Sequence, residues 1–168
     1  MDEVCSDSST LIHLARLGRL DLLRELCGTV LITPAVWREV VEEGRGRPGA
    51  QEVEAAVRLG WIRVLAPTNQ DLIRLLRREV DAGEAETIAL AVERHGALVL
   101  LDEADGRRIA EEYAIRKTGV VGLLVRAKVE GRIPSLRREL ERLRQEAGFR
   151  IADELVRAAV EAVGEDVS

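Results

Sequence analysis

Apolar positions along the chain follow two rhythms, and their order outlines the fold. Short β-rich runs, each closed by a polar residue or a turn former, alternate with longer stretches of helical spacing. "EVCSD" reads as a first strand; Ser8 or Ser9 can cap the next helix, where Leu11, Leu14, Ala15 and Leu17 recur before Gly18. "RLDLLREL" is a second short helix, and "TVLIT" a second strand. Pro34 then stands where a helix can begin, and "AVWREVVEEG" carries it to Gly44. "GRGRPG" is a surface loop, "AQEVEAAVRLG" a helix and "WIRVLAP" a strand. Apolar residues at 72, 73, 75, 76 and 80 make "NQDLIRLLRREV" helical, and a further helix runs from about Gly83 to His95. "ALVLLD" is the most strand-like run, "EADGRRIAEEYA" returns to helix, and "IRKTG" is a short edge strand. "VVGLLVRAKVEG" is helical up to Gly131.

The tail has another style. Ser135 caps a helix with Leu136, Leu140 and Leu143 on one face, and "IADELVRAAVEAVG" ends the chain as an amphipathic helix. The expectation is one domain over residues 1–168, with about 134–168 as its helical C-terminal extension. Alternating strands and helices imply an α/β fold, with a mostly parallel sheet covered on both faces. Such sheets hold their sites beyond the carboxyl ends of the strands.

That rule draws attention to the acids. Asp7 ends the first strand and Asp102 ends "ALVLLD"; if those strands are neighbours, their carboxylates meet. Glu84 opens the helix before "ALVLLD", and Glu39 lies about one turn inside the helix after "TVLIT", so both can reach the same edge. Glu103 and Asp105 follow in the next loop or first turn. Gathered carboxylates repel, and some take up protons unless a cation lies among them. Mg²⁺ or Mn²⁺ suits oxygen ligands, can sharpen a water into a nucleophile, and stabilises charge on a phosphate under attack. The fitting chemistry is phosphodiester hydrolysis. Each acid alone has a plainer explanation: Asp7 or Asp102 as a helix cap, Glu84 and Glu86 as first-turn acids favoured by the helix dipole, Glu39 as one charge on a solvated face. The joint placement at one edge argues for a site.

Composition narrows the alternatives. Hydrophobic residues are 46% of the chain and aromatic residues 2%, so aliphatic side chains fill the core. A net charge of -5 excludes bulk attraction as a way of coating nucleic acid, though not a local basic rim. Arg107 and Arg108, and Arg16 and Arg19, are candidates for such a rim. No apolar run spans a bilayer and the start lacks a basic secretory signal, so the expected location is the cytoplasm, away from membranes. Cys5 and Cys27 are expected to be reduced and packed, and His13 and His95 to lie on helix surfaces, which leaves no zinc set. No G-x-G-x-x-G follows the first strand, so dinucleotide binding is excluded.

The phrases "SDSSTLIHLARLGRLDLLREL", "VLITPAVWREVV", "DAGEAETIALAVE", "LVLLDEADGRRIAEEY" and "TGVVGLLVRAKVEGRIPSL" run in the order found in PIN-domain nucleases, over about residues 4 to 136. "LRQEAGFRIADELV" fits the usual tail of a prokaryotic group close to VapC-type toxins, which the chain resembles. The resemblance implies a three-layer α/β/α fold with four to five strands, and an acidic pocket holding Mg²⁺ or Mn²⁺. It implies a metal-dependent endoribonuclease cutting single-stranded or structured RNA, with the toxin of a toxin–antitoxin pair as one role. Carried over by position, Asp7, Glu39, Glu84 and Asp102 are the catalytic acids. Asp7, Glu84 and Asp102 are metal ligands, with Asp105 or Glu103 as the last, more variable acid. A homodimer and an antitoxin protein are implied partners beside RNA; the alternative is a PIN-like module that binds RNA or a protein without cutting.

Some features depart from the family pattern. Glu86 rivals Glu84, and the two lie about 200° apart around a helix, so only one can face the pocket. Glu103 stands where a second aspartate is usual, which leaves open whether one metal binds or two. Phosphatases of the haloacid dehalogenase type also carry an acid after their first strand, but with Asp-x-Asp where this chain has Asp7-Ser8-Ser9. Ser8, Ser9 and Thr10 can orient Asp7 or cap the helix, and Thr118 and Gly119 fall at the same sheet edge. Trp37 is read as core, and the stripe of Leu155, Val156, Ala159, Val160 and Val163 as packing on the domain or forming an interface.

Overall fold

A computed structural model describes residues 2–166. Five strands form one parallel sheet: β1 (Val4–Ser6), β2 (Val30–Ile32), β3 (Ile62–Val64), β4 (Leu98–Leu100) and β5 (Lys117–Thr118), in the order β3-β2-β1-β4-β5. Each strand is only two or three residues long, shorter than its β-rich run, because the flanking residues turn into helix caps. Strands β1 and β4 pair in register, Val4 with Leu98 and Ser6 with Leu100. The order reverses direction at this pair, so the crevice beyond their carboxyl ends is the sheet's switch point, where open α/β sheets bind ligands.

Strand side chains alternate between two cores. Val4, Val30, Ile32, Ile62 and Leu100 join one; Cys5, Leu31, Val99 and Leu101 join the other. The first core takes α1 (Ser8–Arg16), α2 (Asp21–Cys27), α3 (Pro34–Trp37), α4 (Ala50–Leu59) and α8 (Val120–Val129). The second takes α5 (Gln70–Leu76), α6 (Ala82–Glu93) and α7 (Ala104–Glu112). The molecule is therefore a three-layer α/β/α fold. Cys5 and Cys27 are buried free thiols, and burial pushes the Cys5 thiol up to about 12.

The tail forms α9 (Leu136–Glu146) and α10 (Asp153–Ala162). Leu136, Leu140 and Leu143 enter the first core, as does Val160, while Val156, Ala159 and Val163 pack against it. Leu155 breaks the expected stripe and stays 51% exposed. Buried Glu139 accepts from Arg19 at 2.7 Å and pairs with Arg142 at 3.1 Å. Arg16 donates to the Ala147 carbonyl at 3.2 Å. Arg16 and Arg19 thus clamp the tail onto α1, and this is their use in the fold.

Two local expectations change. The helix from Pro34 breaks after Trp37 into a π-helical turn, Arg38–Glu42, where the expected helix was regular to Gly44. Thr33 supplies the start by accepting from the Val36 amide at 3.3 Å. His13 is half-buried, its ring meeting Phe149 edge to face at 4.9 Å and 82°, whereas His95 lies on the surface. Trp37 packs against the first core.

Candidate functional site

The end of β1 delivers Asp7 into the crevice. Its amide donates to the Leu100 carbonyl at 3.0 Å, so the chain continues the β1–β4 ladder before α1 begins. Asp7 occupies the N-cap position of α1 with extended backbone, yet its side chain makes no cap hydrogen bond. Ser8 and Ser9 lie inside α1 and do not cap it. A buried carboxylate that spends nothing on capping is available for something else.

Glu39 reaches the same place from the π-helical turn. Its Oε2 accepts from Ser8 Oγ at 2.6 Å and its Oε1 from the Gly83 amide at 3.1 Å. One-turn π insertions re-aim side chains and recur at functional sites. Asp81 arrives from the start of α6, where it is the N-cap and accepts from the Glu84 amide at 2.9 Å. One carboxylate oxygen from each of Asp7, Glu39 and Asp81 lies within 4.8 Å of the others. Asp81 was missed in the sequence because it precedes the periodic run of its helix. The signal was there in "DAGEAE": a capping aspartate two residues before a glycine, ahead of a helix that must start at the sheet's carboxyl edge.

Glu84 lines a cleft of about 410 Å³ together with Asp81, Glu103 and Asp105. It is 6% exposed, and its Oε2 is buried without a hydrogen-bond partner among the described residues. Glu86, its rival, points away and accepts from the Ala35 amide at 3.1 Å, capping α3 instead. The glycines nearby are the space the acids occupy. A Cβ on Gly83 would stand 2.6 Å from Glu39 Oε2, and one on Gly106 would stand 2.8 Å from Glu84 Oε2.

Asp102 ends beside β4 and is tied down differently. Its Oδ2 accepts from Thr10 Oγ1 at 2.7 Å and its Oδ1 from the Val120 amide at 3.0 Å. It fastens α1 and α8 to β4, and Gly119 leaves it room, since a Cβ there would run into Oδ1. It does not cap the next helix; Glu103 holds that position, also without a cap bond. Asp105 is 71% exposed and lies 3.9 Å from Arg108, so of the expected ligands it stands furthest out. Thr118 sits at the end of β5, half-buried.

The electrostatics are those of a site lacking its counter-charge. Burial pushes the Asp7 carboxyl well above the usual range; the Ser8 amide opposes this, and Glu84, Asp81 and Glu39 add to it. Burial likewise raises Glu39, opposed by its Ser8 hydrogen bond. Burial lifts Glu84 to about 7, helped by Asp81, Glu103, Asp105 and Glu39. Among the described residues no lysine or arginine forms an ion pair with Asp7, Glu39, Asp81, Glu84 or Asp102. An orphaned buried carboxylate oxygen beside converging acids fits a hard divalent cation, since Arg77 and Arg78, which also line the cleft, form no ion pair with these acids among the described residues.

The Gly83 contact is a test of that fit. Gly83→Ala is expected to displace Glu39 and weaken Mn²⁺ binding about 10-fold in isothermal titration calorimetry, with the thermal midpoint little changed. Unchanged affinity would show that Glu39 takes no part in holding the ion.

No helix of the described residues is long and apolar enough to cross a membrane. A protein-family model described as a PIN domain matches residues 3–165. Against curated proteins the chain finds no match.

Proposed function

The chain belongs to the PIN-domain family, a nuclease-type fold that generally uses divalent metals, and from that premise we propose that it is a metal-dependent endoribonuclease. The observation that carries the reading is the convergence of Asp7, Glu39 and Asp81 within 4.8 Å, with the orphaned Oε2 of Glu84 beside them. Asp7, Glu39 and Asp81 are the residues that would hold Mg²⁺ or Mn²⁺, with Glu84 beside them, while Asp102 is bonded to Thr10 and Val120; the ion would supply charge neutralisation at a phosphate and acidify a water.

The chain's own groups do the rest. Ser8 Oγ and the Gly83 amide fix both oxygens of Glu39. Thr10 Oγ1 and the Val120 amide do the same for Asp102. Fixed acids need no reorganisation when charge develops on a phosphate. Glu84, lifted to about 7 while no cation lies among the acids, holds a proton near neutral pH that a bound ion would displace.

The test is cleavage of defined RNAs, single-stranded and hairpin, by the full chain in Mg²⁺, Mn²⁺ or EDTA. Cleavage is expected with either metal and none in EDTA, and Glu84→Gln is expected to slow it about 100-fold. A protein that binds RNA but never cuts it, with either ion, would overturn the nuclease reading in favour of a binding module. The finer role of toxin, with an antitoxin as partner, rests on the resemblance of its sequence phrases to VapC-type toxins. Growth arrest on expression, absent in Asp7→Asn, is its test.

A further inference from the structure

The first turn of α1 lacks the usual fastening. Asp7 holds the N-cap position without a side-chain cap bond, and no acid lies in the turn itself. A helix start leaves amide donors unpaired and carries a partial positive charge, which a side-chain oxygen or a carboxylate normally meets. Helix α8 begins in the same way. Its N-cap is Gly119, which has no side chain to offer, and its first turn also holds no acid. One carboxylate serves both starts. Asp102 Oδ2 accepts at 2.7 Å from Thr10 Oγ1, in the first turn of α1, and Oδ1 accepts at 3.0 Å from the amide of Val120, the first residue of α8.

Asp102 stands on a fixed support. The Leu101 amide donates to the Thr118 carbonyl at 2.9 Å, and the Leu101 carbonyl accepts from Arg107 Nη1 at 3.3 Å. Both backbone groups of the preceding residue are thus engaged, by β5 and by α7. Thr10 is fully buried, so no water competes for its hydroxyl. What α1 carries makes its start matter. Asp7 is the residue before it, and Ser8, its first residue, donates to Glu39 at 2.6 Å. A slack first turn would move one of the converging acids directly, together with the hydroxyl that fixes a second. Glu39 also accepts on both oxygens, but it converges with Asp7 and Asp81 within 4.8 Å; among the described residues that group does not include Asp102. Turning Asp102 toward an ion would release two helix starts.

We propose that Asp102 is a positioning residue rather than a metal ligand: by holding the starts of α1 and α8 together, it sets Asp7 and Glu39 where they converge. This departs from the role that the resemblance gives Asp102, and it rests on the metal-site reading above.

The test uses the full chain, with Mn²⁺ alone as the probe in calorimetric titration. Thr10→Val and Asp102→Asn are each expected to bind Mn²⁺ about 10-fold more weakly than the wild type, and the double variant no more weakly than the worse single. Asp7→Asn, which removes a ligand, is expected to lose far more than either. Thr10→Ser keeps the hydroxyl and is expected to keep wild-type affinity. In EDTA, hydrogen exchange of the α1 amides from Leu11 to Arg16 is expected to quicken about 10-fold in Thr10→Val and Asp102→Asn, but not in Thr10→Ser. In RNA cleavage, Thr10→Val is expected to lower kcat about 10-fold with KM unchanged. Should Asp102→Asn fail to fold, the two Thr10 variants decide: valine must weaken Mn²⁺ binding and quicken exchange, and serine must do neither. Loss of Mn²⁺ binding in Asp102→Asn as complete as in Asp7→Asn would make Asp102 a ligand and overturn the proposal, as would unchanged α1 exchange in Thr10→Val. Cleavage separates the two readings. A wild type that cuts RNA, with Thr10→Val binding Mn²⁺ as tightly, leaves the nuclease and removes the positioning role. A wild type that takes up Mn²⁺ and never cuts, with the variants weakened as expected, leaves the positioning role and removes the nuclease.

Discussion

Asp7→Asn is expected to make the metal-free protein more stable while cutting RNA cleavage by about 10³-fold or more. The two effects have one cause. Asp7 is 3% exposed, and burial together with Glu84, Asp81 and Glu39 penalises its charged form. An asparagine keeps the shape and removes the charge. Its side chain makes no cap hydrogen bond that the substitution would lose. Relief of even 1–2 kcal/mol would raise Tm by about 2–8 °C in a chain of this size. Activity moves the other way, because a neutral amide is a poor ligand for a hard cation and leaves the charge at the phosphate uncompensated. Scanning calorimetry in EDTA and cleavage in Mn²⁺ check the pair. A fall in both stability and activity would make Asp7 a structural residue at the start of α1. Loss of neither would remove it from the site.

How much of this was legible in the sequence follows from what each feature depends on. The strand–helix alternation depends on local periodicity, and the five short strands and their parallel arrangement were readable from runs such as "TVLIT" and "ALVLLD". The adjacency of β1 and β4 was only a condition for Asp7 and Asp102 to meet; strand order is a long-range property that no run of residues displays. The rivalry of Glu84 and Glu86 illustrates the boundary. Helical geometry says that one of them must turn away. That it is Glu86 follows from the α3 amide it caps, 51 residues distant in sequence. Asp81 escaped because a residue just outside a periodic stretch carries no pattern of its own. Arg16 and Arg19 looked like a rim for phosphates and are instead the tail's clamps, because Glu139 and the Ala147 carbonyl lie more than a hundred residues away along the chain. The π-helical turn at Glu39 has no signature in the spacing of Val36, Val40 and Val41, which suits a regular helix equally well.

The metal-free protein is expected to lose stability as pH rises from about 5 to 8, and a divalent ion is expected to reverse that trend. Glu84 has a folded pKa of about 7 against an ordinary 4.5, and Asp7 and Glu39 are also raised. Between the unfolded and folded values the native state holds protons that the unfolded chain has released, so the free energy of unfolding falls with rising pH. For Glu84 the decline spans about pH 4.5 to 7 and is then complete. Its size is about 1–3 kcal/mol after allowing for solvent in the open cleft, or several degrees in Tm. The lowered acids, Asp2, Glu3, Glu111, Glu146 and Glu165, have the opposite sign, but their stabilisation is lost only as pH falls below about 4.5. His13 opposes the trend inside the window, since burial lowers it, but it is one group against three. Glu84→Gln is expected to flatten the profile. With Mn²⁺ present the ion must displace the site's protons, so binding tightens with pH, and the stabilisation it confers, RT ln(1 + [L]/Kd), grows where the metal-free protein is weakest. Calorimetric titration near pH 6.5 in two buffers of different ionisation enthalpy should detect protons released on Mn²⁺ binding. A flat profile in EDTA, together with no proton release, would mean that these carboxyls are already compensated in the fold and that no cation is missing from among them.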